Sequence, residues 1–245
     1  MDERTGYVTI SVDDGHETDL RTADLLDEVG LRATFYIPAT NAERPVMSNQ
    51  EIERIAARFE VGGHTFHHHP LTGIGADESR REIVDGKAWL EDIAGGPVRS
   101  FCYPQGKFNA ALARQVEDAG FACGRTCMLN LTAPPENPYT WGVSTQAFSH
   151  SRAIQLRHAA VERNWTGLAN YARIFRGAVD WAEHFLRAVA HVERHGGIAH
   201  LFLHSWEIDQ HDDWDKLRRL LAGVRDRHSL VPVTNGELFD RTGAR

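Results

Sequence analysis

Two kinds of hydrophobic pattern alternate along the chain. Short apolar runs rich in β-branched and aromatic residues read as strands: "YVTISV" (7–12), "ATFYIP" (33–38), "EVGGH" (60–64), "VRSFCYP" (98–104), "FACGRT" (121–126), "GIAHLFLH" (197–204) and "LVPVT" (230–234). Between them, apolar residues recur at helical spacing. "DLRTADLLDEVG" places Leu20, Ala23, Leu25 and Leu26 on one face and stops at Gly30. "SNQEIERIAARF" opens with Ser48 and carries Glu51 three residues later, which predicts a capping box. Helices are also predicted from about Asp77, over "NAALARQVEDAG", over 152–162 and 179–195, and over "DWDKLRRLLAGVRDRH", with a last helical turn at "NGELFD". Residues 130–145 are loop-rich, with Pro134, Pro135 and Pro138. A strand–helix rhythm this sustained predicts an α/β fold with a parallel sheet, a distorted (β/α) barrel of about seven parallel strands. No linker, repeat or low-complexity segment interrupts it, so a single domain over 1–245 is expected.

Composition narrows the classes. The chain has 245 residues, 42% hydrophobic and 25% charged, with a net charge of −7. It is large enough to bury a full core, and its acidity argues against a nucleic-acid partner. Three cysteines, Cys102, Cys123 and Cys127, are too few and too odd in number for a disulfide framework, and read as structural thiols. "MDERTGYVTIS" is charged and runs straight into a strand. With no signal-peptide pattern and no apolar run of membrane length, the expectation is a cytoplasmic protein without a membrane span. "NWT" (164–166) is then not a glycan acceptor.

In a parallel barrel the chemistry gathers where the strands end. Asp13 and Asp14 follow the first strand, and His64 and His68 follow the third. Tyr103 and Gln105 follow the fourth, Arg125 the fifth, and His204 and Glu207 the sixth. His64 and His68 are four apart and can meet one ion from one helical turn, whereas His67 and His69 are expected to be bystanders. Asp13 or Asp14 would supply a third, carboxylate ligand and leave positions open for water or substrate. The other acid of the pair could then accept a proton from a water whose pKa the metal has lowered.

At this point the chain resembles the NodB-homology polysaccharide deacetylases, carbohydrate esterase family 4. "SVDDG" is similar to their "TFDDG" segment, and "HTFHHHPL" to "H-[ST]-x-x-H" with a Leu three residues on. "FCYPQGKFN" resembles "R-[FY]-P-[YF]-G", and "LFLHS" resembles "L-x-H", in the same order. The resemblance implies Asp13 as general base, and Asp14, His64 and His68 as ligands of a divalent metal, commonly zinc. It implies the Tyr103 backbone N–H as an oxyanion donor, His204 as general acid, and Thr65 as a residue that steadies the histidine loop.

Two departures stand out. Where the family has an arginine that pairs with the base, this chain has Cys102. Arg125 either supplies the missing guanidinium or is an ordinary surface residue. The family's "D-x-x-D-W" segment is not recognisable in "WGVSTQAF", so Glu207, Asp209 or Asp180 would have to orient His204. Trp206 could form an apolar wall for an acetyl methyl or a sugar ring, and His200 reads as barrel filling. Trp165, Tyr171, Phe175 and Trp181 read as the core of an extra helix rather than a substrate lid.

The function expected is a metal-dependent deacetylase acting on the N-acetyl amide of a sugar or a small sugar-containing metabolite. The alternatives are hydrolysis of another C–N bond, such as a formamide or a cyclic imide or ureide, and a non-catalytic carbohydrate-binding barrel.

Overall fold

The computed structural model describes residues 5–242. The charged start of the N-terminal stretch and the last three residues lie outside that range. The first half is a regular succession: β1 (Gly6–Asp13), α1 (Asp19–Val29), β2 (Thr34–Ile37), α2 (Asn49–Ala56), β3 (Glu60–Gly63), α3 (Ala76–Ala94), β4 (Ser100–Cys102), α4 (Ala110–Asp118) and β5 (Cys123–Arg125). The local signals work as their chemistry requires. Gly30 ends α1 in the left-handed region, and Ser48 and Glu51 close a reciprocal capping box on α2.

The second half is less regular. It contains β6 (Thr145–Gln146), α5 (Arg152–Val161), α6 (Trp165–Arg173), α7 (Trp181–His195), β7 (Gly197–Leu203), α8 (Ser205–Gln210), α9 (Trp214–Arg225), β8 (Leu230–Pro232) and α10 (Asn235–Thr242). Hydrophobic periodicity does not announce β6, α6 or α8. The first is two residues long, and the other two are short helices in polar or aromatic-rich sequence. In the segment read as an extra helix, Tyr171, Phe175 and Trp181 are buried, while Trp165 is 62% exposed.

All strand pairings are parallel, in the order β5–β4–β3–β2–β1–β7–β6. The path of seven parallel strands curls into a distorted (β/α) barrel. β8 joins outside this path: it pairs with residues 6–8 of β1, while β2 pairs with residues 11–13. β1 thus has β7 along one edge and shares the other between β2 and β8. All eight of its residues are buried, as expected of a central strand covered on both faces. Thr9 and Ser11 still find partners: Thr9 donates to Asn235 Oδ1 at 2.8 Å, and Ser11 lies 2.9 Å from His200 Nε2. His200 is buried filling inside the barrel. Between β5 and β7 the curl is spanned by irregular backbone, where Trp141 bridges Arg125 and the Ser144 N–H donates to the His200 carbonyl.

The core lies between the sheet and the surrounding helices, with Phe35, Leu26, Ile52, Val116, Phe185 and Leu217 each 0% exposed. Gly62 and Gly63 keep the third strand bare where rings fill the interior. A Cβ on Gly62 would sit 2.4 Å from the Tyr36 ring, and one on Gly63 would sit 2.8 Å from the Phe121 ring. On α3, Gly86 lets the helix press on the histidine loop, since its Cβ would fall 2.7 Å from the Thr65 carbonyl carbon. Among the described residues no helix is long and apolar enough to cross a membrane.

Candidate metal centre and active site

Because the strands are parallel, β1, β3, β4, β5 and β7 all end on one side of the sheet. Asp13, Asp14, His64, His68 and His204 line one cavity there, of about 310 Å³. Gln105, Gln146, Trp206 and Glu207 complete part of its wall.

Three side chains converge on one point. Asp14 Oδ1 lies 3.6 Å from His64 Nε2 and 3.2 Å from His68 Nε2. Donor atoms around a tetrahedral zinc with bonds of about 2.0–2.1 Å stand roughly 3.3 Å apart, so this set fits an ion with little movement. The other atoms of the ligands are already committed. The His64 Nδ1–H donates to the Cys102 carbonyl at 2.8 Å, which leaves Nε2 with a free lone pair. The Trp206 Nε1–H donates to Asp14 Oδ2 at 2.9 Å, which leaves Oδ1 for the ion. Burial works against charge on Asp14, but His64 and His68 outweigh it and hold the carboxyl well below the usual carboxylate range. Burial likewise lowers the His64 pKa and favours the neutral imidazole that a metal needs.

The histidine pair does not sit on a helical turn. Residues 64–69 form an irregular loop, with Thr65 at φ 66° and His68 at φ 57°. These left-handed residues fold the loop back so that His68 meets His64, with ring centroids 4.8 Å apart. Asp14 is itself at φ 82°, which turns it away from the β1 direction followed by Asp13. Thr65 steadies nothing through its hydroxyl, which is buried without a hydrogen-bond partner. Its contribution is backbone shape, backed by the close approach of α3.

Asp13 is 2% exposed and Arg125 1%. Arg125 Nη2 donates to both Asp13 carboxylate oxygens, and the Cys102 thiol lies 3.7 Å from Oδ2. Arg125 is therefore no surface residue. Its guanidinium packs between the Tyr36 and Phe202 rings, 5.1 and 4.8 Å from their centroids. Burial opposes its charge, but the neighbouring Asp13 prevails and raises its pKa.

His204 Nδ1–H donates to Glu207 Oε2 at 2.7 Å, and its Nε2 faces Asp14 Oδ2 at 3.9 Å. Burial would lower its pKa, but the Glu207 hydrogen bond and the Asp14 charge override it and push the imidazole up to about 9. Gln146 Nε2 donates to the same Glu207 oxygen at 3.2 Å. Asp209 and Asp180 serve elsewhere: Asp209 accepts from Trp214, and Asp180 caps α7 and pairs with Lys216. Glu207 was legible as a partner, being three residues from His204 at the start of a helix. Gln146 and the Trp206 hydrogen bond carried no comparable signal. Trp206 is not a bare apolar wall; it stacks on His204 at 5.3 Å and carries the Arg44 guanidinium on its ring.

The oxyanion role expected of Tyr103 needs correction. Its backbone N–H is spent on the Arg125 carbonyl at 3.1 Å, in the pairing that continues β4 alongside β5. Its side chain is buried, with the hydroxyl donating to the Tyr139 carbonyl. The residue of this segment that lines the cavity is Gln105, at φ 57°.

Comparison with known proteins adds a lineage to this geometry. A family model described as polysaccharide deacetylase matches residues 1–124. YxkH of Bacillus subtilis (strain 168), named for the same family, is 24% identical over 122 residues, 49% of this chain and 44% of that one. The chain thus matches less than half the length of this curated relative. A Mycobacterium smegmatis structure described under the same family name aligns with 99% of this chain and 92% of its own, at 17% identity and a TM-score of 0.66. A family 4 acetyl xylan esterase from Clostridium thermocellum, in complex with a cobalt ion, aligns with 97% of this chain and 92% of its own, at 18% identity and a TM-score of 0.61.

Proposed function

This chain belongs to the polysaccharide deacetylase family, and from that premise we propose that it is a metal-dependent hydrolase of the N-acetyl amide on a sugar or small sugar-containing metabolite. The observation that carries the reading is the convergence of Asp14 Oδ1, His64 Nε2 and His68 Nε2 beside two further proton-handling groups, Asp13 and His204. A divalent ion held by those three atoms, zinc by the chemistry of two imidazoles and one carboxylate, would polarise the amide carbonyl and acidify water.

The remaining roles belong to the chain. Asp13 takes the proton from the attacking water, with Arg125 fixing both its oxygens so that the carboxylate is aimed. His204 holds a proton near neutral pH and delivers it from Nε2 to the departing amine, while Glu207 fixes the ring through Nδ1. Trp206 shields one side of the cavity and keeps Asp14 in place. The substrate enters from a neighbouring cavity of about 650 Å³ that shares Gln105, His158 and Glu162 with the site and has Phe108 and Met128 in its wall. Room on that scale suits a sugar with a modest substituent. In this reading the substrate is a soluble metabolite and the protein is cytoplasmic.

The test is release of acetate from a panel of N-acetylglucosamine derivatives by zinc-loaded, metal-stripped and Asp13→Asn protein. Turnover by the loaded wild type alone supports the proposal. Full metal loading without acetate release would move the substrate to another C–N bond, and neither loading nor release would leave a binding barrel.

A further inference from the structure

The four histidines of the 64–69 loop divide into two pairs that face opposite ways. His64 and His68 meet Asp14 inside the barrel mouth, whereas His67 and His69 turn outward to Glu82 on α3. We propose that His67, His69 and Glu82 form a second, independent transition-metal site on the outer face of this loop, taking Zn²⁺.

The outer three residues offer ligand atoms that all lie within 4.8 Å of one another. Both imidazoles present the same atom, Nδ1, to the same oxygen: His67 Nδ1 is 2.6 Å and His69 Nδ1 3.8 Å from Glu82 Oε1. One hydrogen bond to that oxygen would need one imidazole. A second ring, stacked on the first at 5.5 Å with planes 25° apart, brings a second Nδ1 toward the same oxygen, so that one cation replacing the shared proton would reach all three atoms. Opening the short contact and closing the long one to the roughly 3.3 Å that zinc needs takes well under 1 Å each, and two half-exposed imidazoles can supply that.

The backbone and the helix hold the three residues in register. His68, at φ 57°, sits between the two and takes the inward direction. His69 precedes Pro70, which restricts it to extended backbone. Glu82 is buried, and its Oε2 accepts the His67 backbone N–H at 2.8 Å. That bond turns Oε1 toward the imidazoles, as an outer hydrogen bond orients a carboxylate ligand. Glu78 and Asp85, one turn either side of Glu82 on α3, line the adjoining surface cavity of about 310 Å³ together with Arg81, so its charged rim has two acids to one base. Two imidazoles, one carboxylate and an open side make a donor set that zinc accepts. An ion there would tie α3 to the back of the loop that presents His64 and His68.

Zinc stoichiometry of the full chain, measured by equilibrium dialysis after chelator treatment, tests this. Two ions per chain are expected for the wild type, one for His67→Asn/His69→Asn, and one for His64→Asn/His68→Asn. Glu82→Gln, which keeps a carbonyl for the His67 N–H, should also retain one, with outer-site affinity down at least about 100-fold. Visible absorption of the cobalt-loaded forms should show two separable components, each lost with its own pair. An ion count that does not drop from the wild type to His67→Asn/His69→Asn overturns the proposal, whether or not the inner site loads. The His64/His68 variant reports the inner site separately, so failure of the outer site leaves the proposed catalytic centre intact.

Discussion

Arg125 reaches Asp13 from 112 residues away, donating one guanidinium nitrogen to both carboxylate oxygens across the barrel mouth. The cation comes from β5, because β4 offers the neutral Cys102 at the position where the resemblance called for an arginine. The same charge contact is built from a different strand, in a pocket walled by Tyr36 and Phe202.

Removing that guanidinium leaves a buried carboxylate without its countercharge. Arg125→Met should lower turnover by at least about 100-fold while zinc content stays at the wild-type level. Such a change also costs about 3–5 kcal/mol of stability. Arg125→Lys should therefore be assayed beside it, restoring much of the stability and part of the rate. Unchanged turnover in the methionine variant, with metal bound, would remove Arg125 from the site's chemistry.

Glu207 holds His204 through Nδ1, and no other acid among the described residues does so. Glu207→Gln should reduce kcat by roughly tenfold or more with KM little changed, because the ring loses orientation and charge support rather than substrate contact. Asp209→Asn should leave both constants near wild type, since Asp209 serves Trp214 and Arg21. Equal losses in the two variants would mean that His204 is oriented by something else.

Trp206 donates its indole N–H to the oxygen of Asp14 that the ion would not use. Trp206→Phe keeps the stacking surface but frees that oxygen to rotate toward the metal position. Zinc affinity, measured by competition with a chelating dye, should weaken by about 10-fold or more. An unchanged affinity would reduce Trp206 to a wall.

His184 gives the fold a pH dependence that owes nothing to the metal centre. It is buried against Phe175 at 4.0 Å, with Nδ1 2.8 Å from the Thr145 hydroxyl and Nε2 2.8 Å from Asn130 Oδ1. Burial lowers its pKa from 6.5 to about 3. The unfolded chain therefore takes up a proton near pH 6.5 that the folded chain refuses. The stability tied to this residue is whole above pH 6.5 and is lost as the pH falls toward 3, by up to about 1.4 kcal/mol per pH unit. Urea midpoints at pH 7 and pH 5 should differ more for the wild type than for His184→Gln. Parallel shifts would show that His184 titrates normally.

Much of the architecture was legible because it is written in local chemistry. Period-two and period-three-to-four patterns, Gly30 and the Ser48–Glu51 pair mark elements by signals that lie within each element, even though packing supplies most of their stability. The acids and imidazoles were legible because parallel strands deliver their ends to one side. The backbone of the site was not. Thr65, His68, Asp14 and Gln105 all occupy left-handed conformations that no residue type there announces, so a helical turn was expected where a folded loop stands. The Tyr103 N–H was equally invisible as a strand-pairing group, because β4 and β5 are three residues each and their register is set only in three dimensions. Arg125 could be placed at a strand end, but its burial depended on rings contributed by β2 and β7.

The arrangement around β1 also sets an order of assembly. β1 precedes the other described strands in the chain, yet its edges are finished last: β7 pairs with it about 190 residues later, and β8 and Asn235 follow. Until residues 197–235 emerge, an apolar ribbon with one edge open and the other only partly paired must be kept from pairing with other chains. Contacts so distant in sequence slow folding, and the proposed metal ligands, drawn from residues 14 to 68, can collect before the ribbon is sealed. An ion captured early by Asp14, His64 and His68 would then act as a clasp for the nascent barrel, so zinc supply during expression should govern how much of the protein reaches a folded state.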